Sequence, residues 1–231
     1  MTRFALALLL GFIALLAAAE VSAQRTSGGI NVVVAVPQGS FADRLDDVGF
    51  GLTGTLVHHF AGSPVGVGAE GTFATYSLGT ASFSSPAGDV LTTNNIAMGH
   101  VILRLQSPSG MIRPYGDALV GLGYLFTESR IEDVDFNGDR YTTSSTNFDD
   151  AAFSYGLGGG VMAQVYSGHS SDDGRPFNVF VDARIRYLFG GEAKYLRGGD
   201  IEFDANGYPI YFFTESRTDL LLPQLGVTIR F

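Results

Sequence analysis

The chain has 231 residues, a formal net charge of −9 and no cysteine. That balance argues against nucleic acid, which selects for a basic stripe, and the missing thiols exclude disulfides and Cys-based metal sites. The 31 glycines, 18 phenylalanines and 10 tyrosines, with only 16% charged residues, suit short strands and turns rather than helices.

At the amino terminus Arg3 forms a short positive region. Phe4 to Ala19 is an apolar run broken only by Gly11, and Val21-Ser22-Ala23 places small residues before Gln24. This is the layout of a cleaved secretory signal peptide. Residues 1–23 are therefore read as a signal peptide and residues 24–231 as one β-barrel domain. No later apolar run approaches the ~20 residues that a spanning helix needs.

Eight strands are predicted in the remainder. The first, Ile30 to Val36, sets Ile30, Val32, Val34 and Val36 on one face, and a loop carrying Asp43, Asp46 and Asp47 follows. The second, Val48 to Phe60, alternates Phe50, Leu52 and Leu56 with Gly51, Thr53 and Thr55. It ends in the turn Ala61-Gly62-Ser63-Pro64. The third, Val65 to Leu78, sets Val67, Ala69 and Phe73 against Gly68, Glu70 and Thr72, before a Ser/Thr/Gly loop to about Thr93. The fourth, Asn95 to Gln106, has Val101, Leu103 and Leu105 opposite His100 and Arg104.

The fifth, Arg113 to Phe126, has Ala118, Val120, Leu122 and Tyr124 against Asp117, Gly121 and Gly123. After an acidic stretch, the sixth runs from Ala152 to Tyr166, with Phe153, Tyr155, Leu157 and Val161 against Ser154, Gly156, Gly158 and Gly160. The seventh, Phe177 to Phe189, sets Val179, Val181 and Ile185 against Asp182, Arg184 and Arg186. The last, Thr218 to Phe231, alternates Leu221, Leu225, Val227 and Ile229 with Gln224, Gly226, Thr228 and Arg230.

Connections after the second, fourth and sixth strands are short, and the others are longer. That alternation is expected of an up-and-down barrel in a bacterial outer membrane, with short periplasmic turns and longer extracellular hairpin loops. Glu70, Arg104, Asp117, Asp182, Arg184, Arg186 and Arg230 all fall on the less apolar face. An eight-stranded interior has room only for side chains. The expectation is an all-β, eight-stranded antiparallel transmembrane barrel, apolar toward lipid, whose lumen holds these seven residues as a charge network.

The order of these segments resembles a known group. Arg113-Pro114-Tyr115-Gly116 with Val120-Gly121-Leu122-Gly123-Tyr124, Phe180 to Tyr187, and Gly226 to Phe231 look like the small outer-membrane barrels of the OmpA-, OmpX- and opacity-like kind. The resemblance implies that Phe231 is an aromatic signal read by the barrel-assembly machinery. It implies no peptidoglycan-binding domain. The chain departs from the group in having no tryptophan.

Two acidic loops centre on Asn137-Gly138 and Asn206-Gly207, strong signals for tight hairpin tips. Asp133-x-Asp135-x-Asn137-Gly138 matches half of a calcium loop, but Ser144 stands where the distal glutamate is needed, so no metal site is assigned. The histidines, His58, His59, His100 and His169, avoid the outer loops, so a general base is missing there and no catalytic residue or cofactor is assigned. Pro37 and Pro223 fall on the two strands that must close the barrel, where a missing donor weakens pairing.

The functional expectation is a monomer in the outer membrane, in contact with lipid and lipopolysaccharide, with either a structural role in membrane integrity or an adhesion-type role in which the acidic extracellular loops meet an extracellular ligand. A narrow porin or small-molecule conduit and a lipid-modifying enzyme are the alternatives.

Overall fold

The computed structural model describes residues 26–43, 48–76, 83–85, 88–134, 140–170, 174–195, 201–203, 209–211 and 214–231. The expected signal peptide and the loop tips Asn137, Gly138, Asn206 and Gly207 lie outside the described residues. The strands are β1 (Thr26–Pro37), β2 (Gly49–His59), β3 (Val65–Tyr76), β4 (Phe83–Ser85), β5 (Gly88–Gln106), β6 (Ile112–Val134) and β7 (Arg140–His169). They continue with β8 (Pro176–Gly190), β9 (Glu192–Tyr195), β10 (Ile201–Phe203), β11 (Pro209–Tyr211), β12 (Thr214–Arg217) and β13 (Leu220–Arg230).

Eight of these form the wall. Neighbours run β3-β2-β1-β13-β8-β7-β6-β5, and β5 pairs back onto β3, which closes the sheet. Every pairing is antiparallel, with Ile30 opposite both Gly54 and Val227. The short turns and the two ends of β1 and β13 share one end of the barrel, where Thr26 and Phe231 exchange backbone hydrogen bonds of 2.9 and 3.2 Å. Each short turn holds one left-handed glycine: Gly62 (φ 67°), Gly110 (φ 104°) and Gly174 (φ 67°). A side chain there would strain the reversal.

Several predicted boundaries change; β6 runs on to Val134 and β7 starts at Arg140, within what was expected to be an acidic connection. β1 starts at Thr26 rather than Ile30, because the small residues Thr26 to Gly29 keep pairing with His58 to Thr55. The Ser/Thr/Gly loop after β3 contains a hairpin, with Ser85 opposite Gly88, and β5 reaches back to Gly88 along β6. That segment is rich in Ser, Thr and Gly, so it leaves no hydrophobic alternation to read. In β7 the register shifts between Gln164 and Tyr166. This bulge lets both Val165 and Tyr166 face outward, more than half exposed, where strict alternation allows only one.

Sidedness is decided by burial. Ile30 is 68% and Leu157 66% exposed, whereas Arg104 and Arg186 are each 1% exposed. A water-soluble barrel would show the reverse. The outer wall carries exposed Val32, Leu52, Val101, Leu103, Leu122, Ile185 and Leu225 around its circumference. Closure satisfies the backbone polar groups and the belt offers lipid an apolar surface, so the chain is a membrane-spanning barrel of the outer-membrane type.

Candidate functional site: the barrel lumen

Strand alternation aims Glu70 of β3, Arg104 of β5, Asp117 of β6, and Asp182, Arg184 and Arg186 of β8 at the barrel axis. Register then brings them to adjacent levels. Arg104 is opposite Asp117, Asp117 opposite Gly158, and Gly158 opposite Arg186, so one row crosses four strands. Gly158 is needed in that row. A Cβ there would lie 2.5 Å from Cγ of Arg186, so the glycine makes space for the arginine stem. Gly160 does the same beside Arg184, 2.7 Å from its Cβ.

The contacts are charge-assisted and shared. Arg104 donates from Nε to Asp117 Oδ1 at 2.7 Å and from Nη2 to Oδ2 at 2.8 Å, a bidentate pair. Arg186 Nη2 donates to the same Asp117 Oδ2 at 2.8 Å, and its Nη1 meets Glu70. Thr55 Oγ1 donates to Glu70 Oε2 at 3.2 Å. Arg184 donates to Asn31 and to Thr55, and its Nη1 lies 3.9 Å from both Glu70 and Asp182. Tyr115 donates its phenol to Asp182 Oδ1 at 2.6 Å, and Thr228 donates to Oδ2 at 3.3 Å.

The cluster is thus three carboxylates against three guanidiniums, formally neutral and buried. Arg104 also lies 3.9 Å over the Tyr115 ring, a cation–π contact in a dry site. Beside the cluster, His100 and Ser154 share a 3.1 Å hydrogen bond.

Arg230 is apart from these six. It is half-buried at the turn end, opposite Ser27 and Asn178. Phe231 is 38% exposed at the same end.

Two apolar layers flank the ionic one. On the loop side Val33, Ala35, Ala74, Tyr76, Ile96, Met98, Leu125, Leu188, Leu220 and Leu222 pack inward, joined by Phe41. Phe41 comes from a 3-10 turn, Gly39–Phe41, in the loop after β1. It is 1% exposed and meets Tyr76 edge-on, with centroids 6.0 Å apart. On the turn side Tyr115, Met162 and Phe180 form a smaller layer.

Sequence reasoning passed over these luminal apolar residues, because it treated the inward face as polar throughout. The signal was present in Val32 to Val36 and Leu220 to Leu222. These runs are apolar at both parities, the mark of a strand buried on two faces.

No family model matches this sequence, and no curated protein matches it. Among solved structures, neisserial surface protein A is 12% identical, with 91% of this chain and 98% of that chain covered and a TM-score of 0.44. Ail of Yersinia pestis, solved with the heparin analogue sucrose octasulfate, is 14% identical, with coverage of 90% and 97% and a TM-score of 0.38. A major outer membrane protein from Thermus thermophilus is 14% identical, with coverage of 89% and 99% and a TM-score of 0.40. The barrel assignment rests on closed register and sidedness, not on these similarities.

Proposed function

We propose that the protein is a sealed outer-membrane barrel, monomeric and non-catalytic, that supports the envelope and meets external surfaces through its acidic loops. One observation supports the sealed reading: among the described residues a neutral cluster of buried ionic side chains lies between two clusters of buried apolar ones. An eight-stranded interior leaves little further space. Planar-bilayer recordings of refolded protein should stay flat, and stable unitary steps would refute the reading. For surface contact, cells lacking residues 131–141 should lose attachment to the bound surface while the shortened barrel still folds. In this reading Phe231 is the residue that the assembly machinery recognises.

A gated conduit is the second reading, and Phe41 favours it. The loop-side layer is completed by a loop residue rather than by a wall strand. The hydroxyl of Tyr76, the neighbour of Phe41, is buried with no hydrogen-bond partner among the described residues. Leaving a donor unsatisfied costs about 1–3 kcal/mol, so lifting Phe41 would hydrate that hydroxyl. Phe41→Ala should then conduct where the natural protein does not. Silence in both proteins leaves the sealed reading standing.

A further inference from the structure

The outer wall carries a groove that the lumen does not explain. It lies at the loop end of β7 and β8, is shallow and open to the outside with a volume of about 350 Å³, and is lined by Phe153, Tyr155, Gly190, Gly191, Glu192 and Arg217. It borders the Gly190-Gly191 step between β8 and β9. Gly191 N donates to Phe153 O at 2.7 Å, and Gly190 N donates to Asp219 Oδ1 at 2.9 Å, so the step is tied on both sides. Thr218 crowds Gly190 so closely that no Cβ fits there. The groove lies between the wall residues Phe153 and Tyr155 and the β9/β12 residues Glu192 and Arg217.

The lining is of two kinds. Phe153 and Tyr155 are 55% and 48% exposed, and Tyr155 stacks on Phe189 with centroids 5.3 Å apart, which fixes the rings as a platform. Opposite them Glu192 and Arg217 are paired in register on β9 and β12. The Arg217 side chain is 54% exposed, with Asp219 3.8 Å away. Below Tyr155 the same face continues as exposed Leu157 and Val161, which belong to the lipid belt.

A ligand seated here would put its polar part among a carboxylate, a guanidinium and aromatic faces, and its apolar part along the belt. Sugar rings present a C–H face that packs on aromatic rings and a rim of hydroxyls that pair with acid and base. Acyl chains suit Leu157 and Val161. We infer that this groove holds the sugar headgroup of an outer-leaflet glycolipid, whose acyl chains lie down the β7/β8 face. The inference rests on the outer-membrane reading above and adds to it a place and a chemistry.

The test uses the full mature chain in phosphatidylcholine nanodiscs titrated with purified lipid A. Tyr155→Ala, which removes the platform, and the fold-sparing Glu192→Gln/Arg217→Gln pair, which keeps size but removes both charges, should each weaken lipid A binding about tenfold. Leu52→Ala, exposed on another part of the belt, should leave it unchanged. Equal affinity for lipid A in all four proteins overturns the inference. So does phosphatidylglycerol binding as tightly with the same dependence on the groove, since headgroup charge would then suffice. Failure of the natural chain to enter nanodiscs would instead overturn the outer-membrane reading.

Discussion

Asp117 is the pivot of the lumen, because one carboxylate serves two buried guanidiniums, Arg104 and Arg186. Removing it leaves Arg104 without its carboxylate and Arg186 with Glu70 alone, both in a buried site. Breaking a buried ion pair from one side costs about 3–5 kcal/mol. Asp117→Ala should lower stability by about that amount in reversible urea unfolding from lipid vesicles, whereas replacing Arg104 by Met as well should recover part of the loss. Full additivity would mean that the two side chains do not act together. Gly158→Val is a second residue-scale test: its branched side chain would push the Arg186 stem away from Asp117, costing about 1–3 kcal/mol. Alternation alone placed the ionic residues on one face. It did not reveal that Tyr115, Asn31 and Thr55 hydrogen-bond to them, because such partners are set by register between strands distant in the chain.

Among the elements, the β1/β13 seam is where the wall is least regular. Pairing runs from Ser27–Arg230 to Val33–Gln224 and resumes at Val36–Leu221, so the ladder lapses beside Pro223. On its other side β13 pairs with β8 without interruption, Pro223 opposite Ile185 included. The missing donor therefore faces β1. Pro37 causes no comparable lapse, since it pairs with Leu220 and the next residue, Gln38, donates to Asp219 O at 2.9 Å. Of the two prolines that the sequence marks, only Pro223 opens a gap, and only register could separate them. The backbone amide at Val34, which faces Pro223, should exchange at least ~10-fold faster than those at Ile30 and Val32, which face β13 where the ladder is intact, and Pro223→Ala should narrow the difference. Uniform protection along β1 would show that the lapse has no dynamic consequence. The strands themselves were easy to place wherever one face meets lipid and the other meets charge. They were hard to place where the sequence is rich in Ser, Thr and Gly and shows no alternation, as in β4 and the start of β5.

For the whole molecule, folding in lipid inverts the usual distribution: its widest apolar surface lies outside and its most strongly charged residues lie within. That inversion was legible in the eight alternating segments because lipid and lumen impose opposite demands on successive residues. What was not legible is that the lumen is layered, since an apolar residue facing inward and one facing lipid look alike along a strand. A tryptophan reporter separates the two environments cleanly, because the natural chain has none. Leu122, 59% exposed, faces outward on β6, whereas Met98, 5% exposed, faces inward on β5, and the two strands are paired. Both therefore sit at closely similar depth. Met98 is also the more forgiving site to enlarge, since a flexible thioether fills irregular space. In vesicles carrying brominated acyl chains, emission from Leu122→Trp should be strongly quenched and emission from Met98→Trp should be spared. The contrast depends only on which side of the wall each ring occupies, as depth is held nearly constant. Equal quenching at the two positions would mean that lipid reaches the inner face, and the ionic layer could not then be the dry centre of the barrel.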